Sequence, residues 1–459
     1  MATQTLSRPQ PRSLRPYVFK IAMPAVGEQF LNMLVGLSDT YLVGHISLAA
    51  AAQLGYGPAE GLASVGLAGN LVWMVTTLFM AGAVGSTALI ARASGAGDYK
   101  QANAVVRQSV LLGLVMGLIG MALMLLFAEP AMRVFGAPQE IIPLGESFLH
   151  ITAFSMPLAG VMFMLNAVLR GVGDTKTPLL VMLLINALNI AVSWLLINGQ
   201  FGLSPLGVQG AAWGMAIARV AGGLVVLGML MRGCGALKLD RWPRPDTSML
   251  RRILRVGFPA AAETLVFQSA LVLFARFITH LGTVPYAAHN IVITVESISF
   301  LPGMGFAVAA TTMVGQSLGA EDKDRARRSG NESYFQGAIF MGIMGVMFIL
   351  FPAQFLGLLV DDPAVVAAGI IPLQMVGIIQ PILAANFVYA GALRGAGDTR
   401  WPLLIKLISP WLIRLPLAFW LIPIYGLNGA WIAMCVDLAL QGVLAWWRFR
   451  GNAWERIRV

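Results

Sequence analysis

Long apolar runs separated by short polar connections are the main pattern along the 459-residue chain. Each run is long enough to cross a hydrocarbon core of roughly 30 Å as a helix. The runs lack the alternation of polar and apolar positions that is typical of barrel strands. The pattern therefore predicts an all-α polytopic membrane protein with twelve transmembrane helices. We place these at residues 17–43, 58–84, 101–128, 139–168, 178–198, 208–231, 250–278, 286–315, 330–358, 364–392, 402–424 and 428–448.

Composition and charge support a membrane protein. Hydrophobic residues make up 58% of the chain, charged residues 11%, and mean hydropathy is +0.76, which excludes an ordinary soluble globular protein. The net charge of +10 does not indicate nucleic-acid binding, because the basic residues gather on every second connection. That distribution is the positive-inside pattern and predicts both termini in the cytoplasm. We expect an integral protein of a bacterial cytoplasmic (inner) membrane.

Two segments of the chain repeat. LRGVGDTKTP at 169–178 returns as LRGAGDTRWP at 393–402, and SGAGDYKQA at 94–102 is echoed by LGAEDKDRA at 318–326, each after 224 residues. Pro24 and Glu28 near the start correspond to Pro259 and Glu263. These echoes predict a duplicated six-helix unit, and an even number of helices makes the two copies parallel repeats. We expect lobes at 17–232 and 250–448 around a central cavity, a cytoplasmic linker at 233–249, and cytoplasmic tails at 1–16 and 449–459.

The repeated ten-residue phrase has the composition of a turn. Its glycines permit a tight bend, and its Asp or Thr can cap the following helix. We expect Arg170 and Arg394 to anchor helix ends among carbonyl groups and beside Asp174 or Asp398. The alternative is direct participation of these four residues in a gate.

The repeated phrases, the paired GAGD and GAED loops and the Pro-x-x-x-Glu openings together resemble the multidrug and toxic compound extrusion (MATE) family over nearly the whole chain. The stretch GLSDTYLVGH at 36–45 resembles its DinF-like branch. The resemblance implies a secondary antiporter that exports organic cations in exchange for protons or sodium, with the acid at Asp39 in cation coupling. Two departures from the family, Ser193 in place of a carboxylate of some relatives and a tenth helix without an acid, put sodium coupling in the second lobe in doubt.

Acids inside a bilayer are functional candidates because their burial is costly. On the first helix Glu28, Asn32 and Asp39 share one polar stripe, since eleven residues at about 100° each return to nearly the same direction. On the fifth helix the polar side chains recur on one face and can meet Asp39. We expect Asp39, Asn186 and Asn189 to take part in cation coupling, and the residues that line the cavity to include Glu28, Asn32, Ser193, Glu263 and Glu296.

Two readings of Asp39 follow. In the first, a proton and a cationic substrate compete for this one carboxylate, so that protonation releases the substrate. In the second, Asp39 is a structural carboxylate hydrogen-bonded to a neighbouring helix, and inter-helical bonding likewise accounts for the fifth-helix amides. Glu28 and Glu263 either line the cavity or pair with buried partners.

The predicted function is proton-coupled, or less favourably sodium-coupled, efflux of lipophilic organic cations by alternating access, carried out by a monomer without a cofactor. Two cysteines in opposite halves and four histidines without metal spacing predict no metal site. The alternatives are a lipid-linked glycan flippase of the same architecture and a membrane enzyme. The first should carry cations in its cavity for a diphosphate, and the second should show a nucleophile and base in recognisable context.

Overall fold

The computed structural model describes residues 13–234, 237–239 and 244–457, so parts of the predicted tails and linker lie outside the described residues. Sixteen α-helices lie in the described part of the chain. They are α1 (Leu14–Gly44), α2 (Leu48–Leu54), α3 (Pro58–Gly95), α4 (Tyr99–Val134), α5 (Ile142–Ala153), α6 (Met156–Gly171), α7 (Lys176–Ile197), α8 (Val208–Arg232), α9 (Thr247–Thr279), α10 (Thr283–Gly319), α11 (Lys323–Leu350), α12 (Pro352–Gly357), α13 (Pro363–Gly395), α14 (Arg400–Ser409), α15 (Leu415–Tyr425) and α16 (Leu427–Arg450).

The predicted all-α membrane fold is confirmed. Ten spans in the described chain are long and apolar enough to cross a membrane, and the number becomes twelve when each of two bent helix pairs is taken as one span. The bent pairs are α1 with α2, at 85°, and α5 with α6, at 58°. A π-helical segment, Pro410–Arg414, joins α14 to α15 within a single span.

The predicted helix boundaries were wrong at three places. The second helix continues to Gly95 rather than ending at 84, because residues 85–91 are small or apolar and pack in the interior, and the helix runs on past Arg92. The fourth and ninth helices break near Phe154 and Phe351, where the next helix restarts with a proline in its first turn. Proline suits that position because the first N–H groups of a helix have no internal partner.

The duplicated halves form two bundles, here called the N-lobe (α1–α8) and the C-lobe (α9–α16). The apolar interior of the N-lobe forms two clusters, and that of the C-lobe forms a third around Trp431. A fourth cluster joins the first turns of α1 to α10 and α13, so α1 also packs on the C-lobe. We call the end of the molecule where α1 begins and α16 ends the termini end.

The repeated phrases form matching turns. Gly173 and Gly397 adopt left-handed backbone with φ +87° and +84°, and the next amide, of Asp174 or Asp398, donates to the carbonyl five residues before it. That geometry is a Schellman C-cap. The GAGD and GAED loops end α3 and α10 in the same way, with Gly97 at φ +70° and Glu321 at φ +60°.

Replacing Glu321 with glycine should stabilise the protein. A residue with a side chain costs about 1–2 kcal/mol in left-handed backbone. Glycine avoids this cost, but its greater conformational freedom in the unfolded chain offsets part of the gain in stability. We expect Glu321→Gly to raise the free energy of unfolding by about 1 kcal/mol, measured by thermal denaturation in detergent. Glu332→Gly, within helix α11, is the control and should lower it. An unchanged or lower stability for Glu321→Gly would contradict this account.

Candidate functional site

The candidate site lies where α1 and α7 pack together, away from the termini end. Asp39 is 1% exposed and stands five residues before the end of α1. Its Oδ1 accepts a hydrogen bond from Asn189 Nδ2 at 3.1 Å and a longer one from Ser193 Oγ at 3.4 Å. Its Oδ2 is buried without a hydrogen-bond partner in the described chain. The carboxylate is therefore held by neutral donors on one side only.

Arg219 of α8 is a member of this site that the sequence did not single out. It interacts electrostatically with Asp39, and its buried Nη1 has no hydrogen-bond partner in the part of the chain that the structure describes. The two groups are charged neighbours without forming a close ion pair. Its position eleven residues into an apolar helix was the available signal, because charges inside a bilayer tend to face one another.

Asn186 and Asn32 do not reach Asp39. Asn186 Nδ2 donates to the carbonyls of Leu31 and Met182, at 3.0 and 2.9 Å, and so ties α7 to α1. Asn32 Nδ2 donates to the Glu28 carbonyl of its own helix at 3.0 Å. Asn186 thus makes no hydrogen bond to Asp39 in the described chain, and its part in cation coupling stays a prediction. Asn189 and Ser193, one and two helical turns further along α7, donate to Asp39 instead.

A cavity of about 370 Å³ opens beside this site. It is lined by Leu37, Ser38, Tyr41, Leu42 and Ile190, so the immediate sequence neighbours of Asp39 and Asn189 form part of its wall. This volume is in the range of small-molecule sites, and the lining is mainly apolar and aromatic. Its wall offers a hydrophobic surface to an apolar organic cation, whereas Asp39 itself is buried and is not among the lining residues.

Glu28 and Glu263 form matching ion pairs in the two lobes. Arg170 Nη1 lies 2.6 Å from Glu28 Oε1, and Arg394 Nη2 lies 2.6 Å from Glu263 Oε1. Both carboxylates are at most 4% exposed. The structure therefore shows the pairing alternative for both acids. It also overturns the expectation that Asp174 and Asp398 partner these arginines.

The two aspartates of the repeated phrase have different partners. Asp174 accepts from the amide and hydroxyl of Thr177 and caps the first turn of α7. Asp398 accepts from Arg448 of α16 at 2.8 Å, while burial raises the pKa of its carboxyl against the effect of that arginine. Burial and the nearby Asp174 raise the pKa of the Cys234 thiol, which keeps it protonated near neutral pH.

Breaking one repeated pair should cost stability. Arg170→Leu leaves Glu28 buried without a counter-charge, which typically destabilises by about 3–5 kcal/mol, with the lower end expected because Arg170 is 16% exposed. The double variant Glu28→Gln with Arg170→Leu should recover at least half of that loss. Thermal denaturation in detergent measures all three proteins. Equal stability of the single and double variants would contradict a coupled pair.

The C-lobe contains a buried charged network whose partners the sequence did not identify. Asp437 of α16, fully buried, accepts hydrogen bonds from Arg414 Nε at 2.7 Å, from Gln441 Nε2 at 2.9 Å and from the Ser409 hydroxyl. Lys406 Nζ donates to Gln441 Oε1 at 2.6 Å. The π-helical segment ends at Arg414, and such segments let one side chain point out of helical register. Most of the charge in this lobe is thus internally compensated.

Glu296 of α10 borders this network. It is 7% exposed and interacts electrostatically with Arg414, which is already bound to Asp437. In the described chain, no hydrogen bond or ion pair links Glu263 or Glu296 to Asp39: Glu263 is paired with Arg394, and Glu296 lies beside Arg414.

Known proteins match both the sequence and the fold. The family model described as MatE matches residues 24–195 and 259–420, one stretch in each lobe. The chain belongs to the MATE family. The chain is 34% identical over 450 residues to the probable multidrug resistance protein NorM of Thermotoga maritima, covering 97% of this chain and 94% of that protein. It is 27% identical to the uncharacterized transporter YisQ of Bacillus subtilis, covering 95% and 94%.

Solved MATE structures share the whole architecture. An outward-facing multidrug resistance MATE family transporter of the MOP superfamily superposes with a TM-score of 0.86 at 21% identity, covering 97% of both chains. A MATE crystal structure described as bent gives the same TM-score, covering 95% of both chains. MATE membership identifies this protein as a membrane transporter rather than an enzyme.

Proposed function

We propose that this MATE protein exports lipophilic organic cations in exchange for protons, with Asp39 as the carboxylate that the two share. The observation that carries this proposal is the contrast among its membrane acids. Glu28, Glu263 and Asp437 are each in a close ion pair with an arginine, whereas Asp39 is held by the amide of Asn189 and the hydroxyl of Ser193. Of the two acids of α1, Asp39 is therefore the one able to change partners, and Glu296, which also lacks a close ion pair in the described chain, lies in the C-lobe beside Arg414.

Competition for one charge couples the two fluxes. A buried carboxylate is costly unless it is neutralised, and either a proton or a bound cation can do this. Protonation from outside would release the cation from its counter-charge, and loss of the proton inside would restore the site. Arg219 supplies a fixed positive charge nearby, which lowers the cost of burying the Asp39 carboxylate when neither a proton nor a substrate cation is bound.

Proton exchange is the simpler assignment for this site. Sodium needs several oxygen ligands. Asp39 Oδ1 already accepts from Asn189 and Ser193, and of the predicted coupling residues, Asp39 Oδ2 and the amide oxygens of Asn186 and Asn189 are buried without a hydrogen-bond partner in the described chain. The second-lobe acids that could supply oxygens are paired with Arg394 or Arg414. Proton exchange needs only the carboxylate itself.

The names of the relatives support a drug efflux role, which we extend to this chain as part of the proposal. We place the protein in the bacterial cytoplasmic membrane, with both termini inside, as a functional monomer. The apolar cavity wall with Tyr41 suits the apolar part of an amphipathic organic cation. None of the described residues that line this cavity is basic, whereas a diphosphate-linked lipid would need cations there.

Transport into proteoliposomes tests the proposal. A fluorescent lipophilic cation should move with an imposed pH gradient, and the pH gradient should dissipate as it moves. A sodium gradient alone should leave the flux at the level of protein-free liposomes. Flux that follows sodium and ignores pH would replace the proton with sodium in this account. Movement of an anionic lipid probe without cation flux would overturn export of cations.

A further inference from the structure

The repeated phrase accepts hydrogen bonds from the opposite lobe. Gln316 Nε2 of α10 in the C-lobe donates to the Gly171 carbonyl of the N-lobe at 3.0 Å. Arg92 Nη2 of α3 in the N-lobe donates to the Ala396 carbonyl of the C-lobe at 2.8 Å. Arg92 and Gln316 are 224 residues apart, the repeat offset, so the two bonds are counterparts.

The carbonyl groups that accept these bonds lie at or just beyond helix ends. The last carbonyls of a helix have no partner within it, and α6 ends at Gly171 while α13 ends one residue before Ala396. Thr312 of α10 adds a bond to the Arg170 carbonyl at 2.8 Å, which also accepts from the Gly173 amide at 2.9 Å within the turn. Each repeated turn therefore presents carbonyls near a helix end to the other lobe.

Glycines bring the lobes close enough for these bonds. A Cβ on Gly95 would stand 2.0 Å from the Gln316 carbonyl oxygen, and one on Gly319 would stand 2.1 Å from the Arg92 carbonyl oxygen. Both distances are far below van der Waals contact with backbone that cannot yield. The same glycines of the GAGD and GAED loops thus sit against the residues that donate across the interface.

We propose that Arg92, Thr312 and Gln316 form an inner latch that holds the two lobes together at the termini end, and that the transport cycle requires these bonds to break. The phrase occurs twice because the latch has approximate two-fold symmetry: each lobe supplies one donor helix and one acceptor turn. The residues are positioning groups, since none of them contacts the Asp39 site.

Thr311 provides a matched control. Its hydroxyl donates to the carbonyls of Ala307 and Gly391, both in the C-lobe, whereas that of its neighbour Thr312 crosses to the N-lobe. Valine has nearly the same shape as threonine and lacks the donor. The two valine substitutions therefore remove similar bonds from adjacent positions, and only Thr312→Val weakens the latch.

Spin-label distances measure the latch directly. Labels on Lys100→Cys and Asp324→Cys, exposed and 224 residues apart at the start of α4 and α11, report lobe separation at the termini end, with Cys234→Ser and Cys435→Ala as background in the full chain in lipid nanodiscs. Loss of one hydrogen bond should raise the ratio of separated to closed lobes about 2- to 10-fold. Thr312→Val combined with Arg92→Met and Gln316→Met should raise it further.

The expected result is a longer-distance population in Thr312→Val and a dominant one in the triple variant, with Thr311→Val like the parent protein. An unchanged distance distribution in the triple variant, or an equal shift in Thr311→Val, would overturn the latch. Elution as a monodisperse peak and an unshifted α4-internal label pair show that each variant is folded. The latch proposal rests on alternating access and not on the identity of the coupling ion. Because the distance measurement needs no ion gradient, its result tests the latch independently of proton exchange.

Discussion

Asp39→Asn should reduce pH-driven cation accumulation to the level of protein-free liposomes. Asparagine keeps an oxygen to accept the hydrogen bonds of Asn189 and Ser193, so the packing of α1 against α7 should persist. It carries no charge to attract a cation and no proton to exchange. The variant should therefore fold normally and fail in coupling, measured by dye flux and by thermal denaturation of the same preparation.

Ser193→Ala is the matched control for this prediction. It removes the longer, 3.4 Å bond to Asp39 while leaving the carboxylate and the bond from Asn189. Transport by Ser193→Ala should stay within a few-fold of the parent protein, since one weak hydrogen bond is worth about 1 kcal/mol or less. Retained pH-driven accumulation in Asp39→Asn would show that Asp39 is a structural carboxylate.

Asp437→Leu should have the largest effect on stability, about 3–5 kcal/mol, because it removes the only acid that forms a close ion pair with the 1% exposed Arg414 guanidinium in the described chain. Gln441 and Ser409 lose an acceptor as well. Such a loss consumes much of the 5–15 kcal/mol that stabilises a typical domain. Low yield and early aggregation on heating are the expected observations, measured by detergent extraction and thermal denaturation.

Two further variants make this result specific. Asp437→Leu with Arg414→Leu removes both charges and should recover much of the stability, since apolar replacement of a buried pair is often nearly neutral. Glu129→Gln breaks the exposed pair with Arg133 and should cost less than about 1 kcal/mol. A double variant no more stable than Asp437→Leu would contradict a compensated ion pair.

The fold could be predicted well because it depends on features that are visible along the sequence itself, without knowledge of contacts between helices. Apolar length defined the spans, and the 224-residue echo defined the duplication. The helical period also predicted which residues share a face: Asp39 lies on the polar stripe of the first helix, and Asn189 and Ser193 lie on one face of the fifth. Breaks near Phe154 and Phe351 were missed because the apolar runs continue across them.

Contacts between helices were less predictable. Arg170 and Glu28 are 142 residues apart, and nothing local distinguishes this pairing from the expected one with Asp174. Arg219 and Arg414 were visible as charges in apolar runs, but the rotation of each helix determines which acid it faces. The π-helical segment before Arg414 changes that rotation and has no clear periodic signal.

Proton release on substrate binding tests the central claim most directly. A lipophilic cation added to the purified, weakly buffered protein should displace protons from Asp39, up to one per bound cation at acidic pH, and Asp39→Asn should release none. Binding should weaken correspondingly as pH falls. Binding of the cation with no proton release by the parent protein, or with equal release by Asp39→Asn, would contradict exchange at this carboxylate.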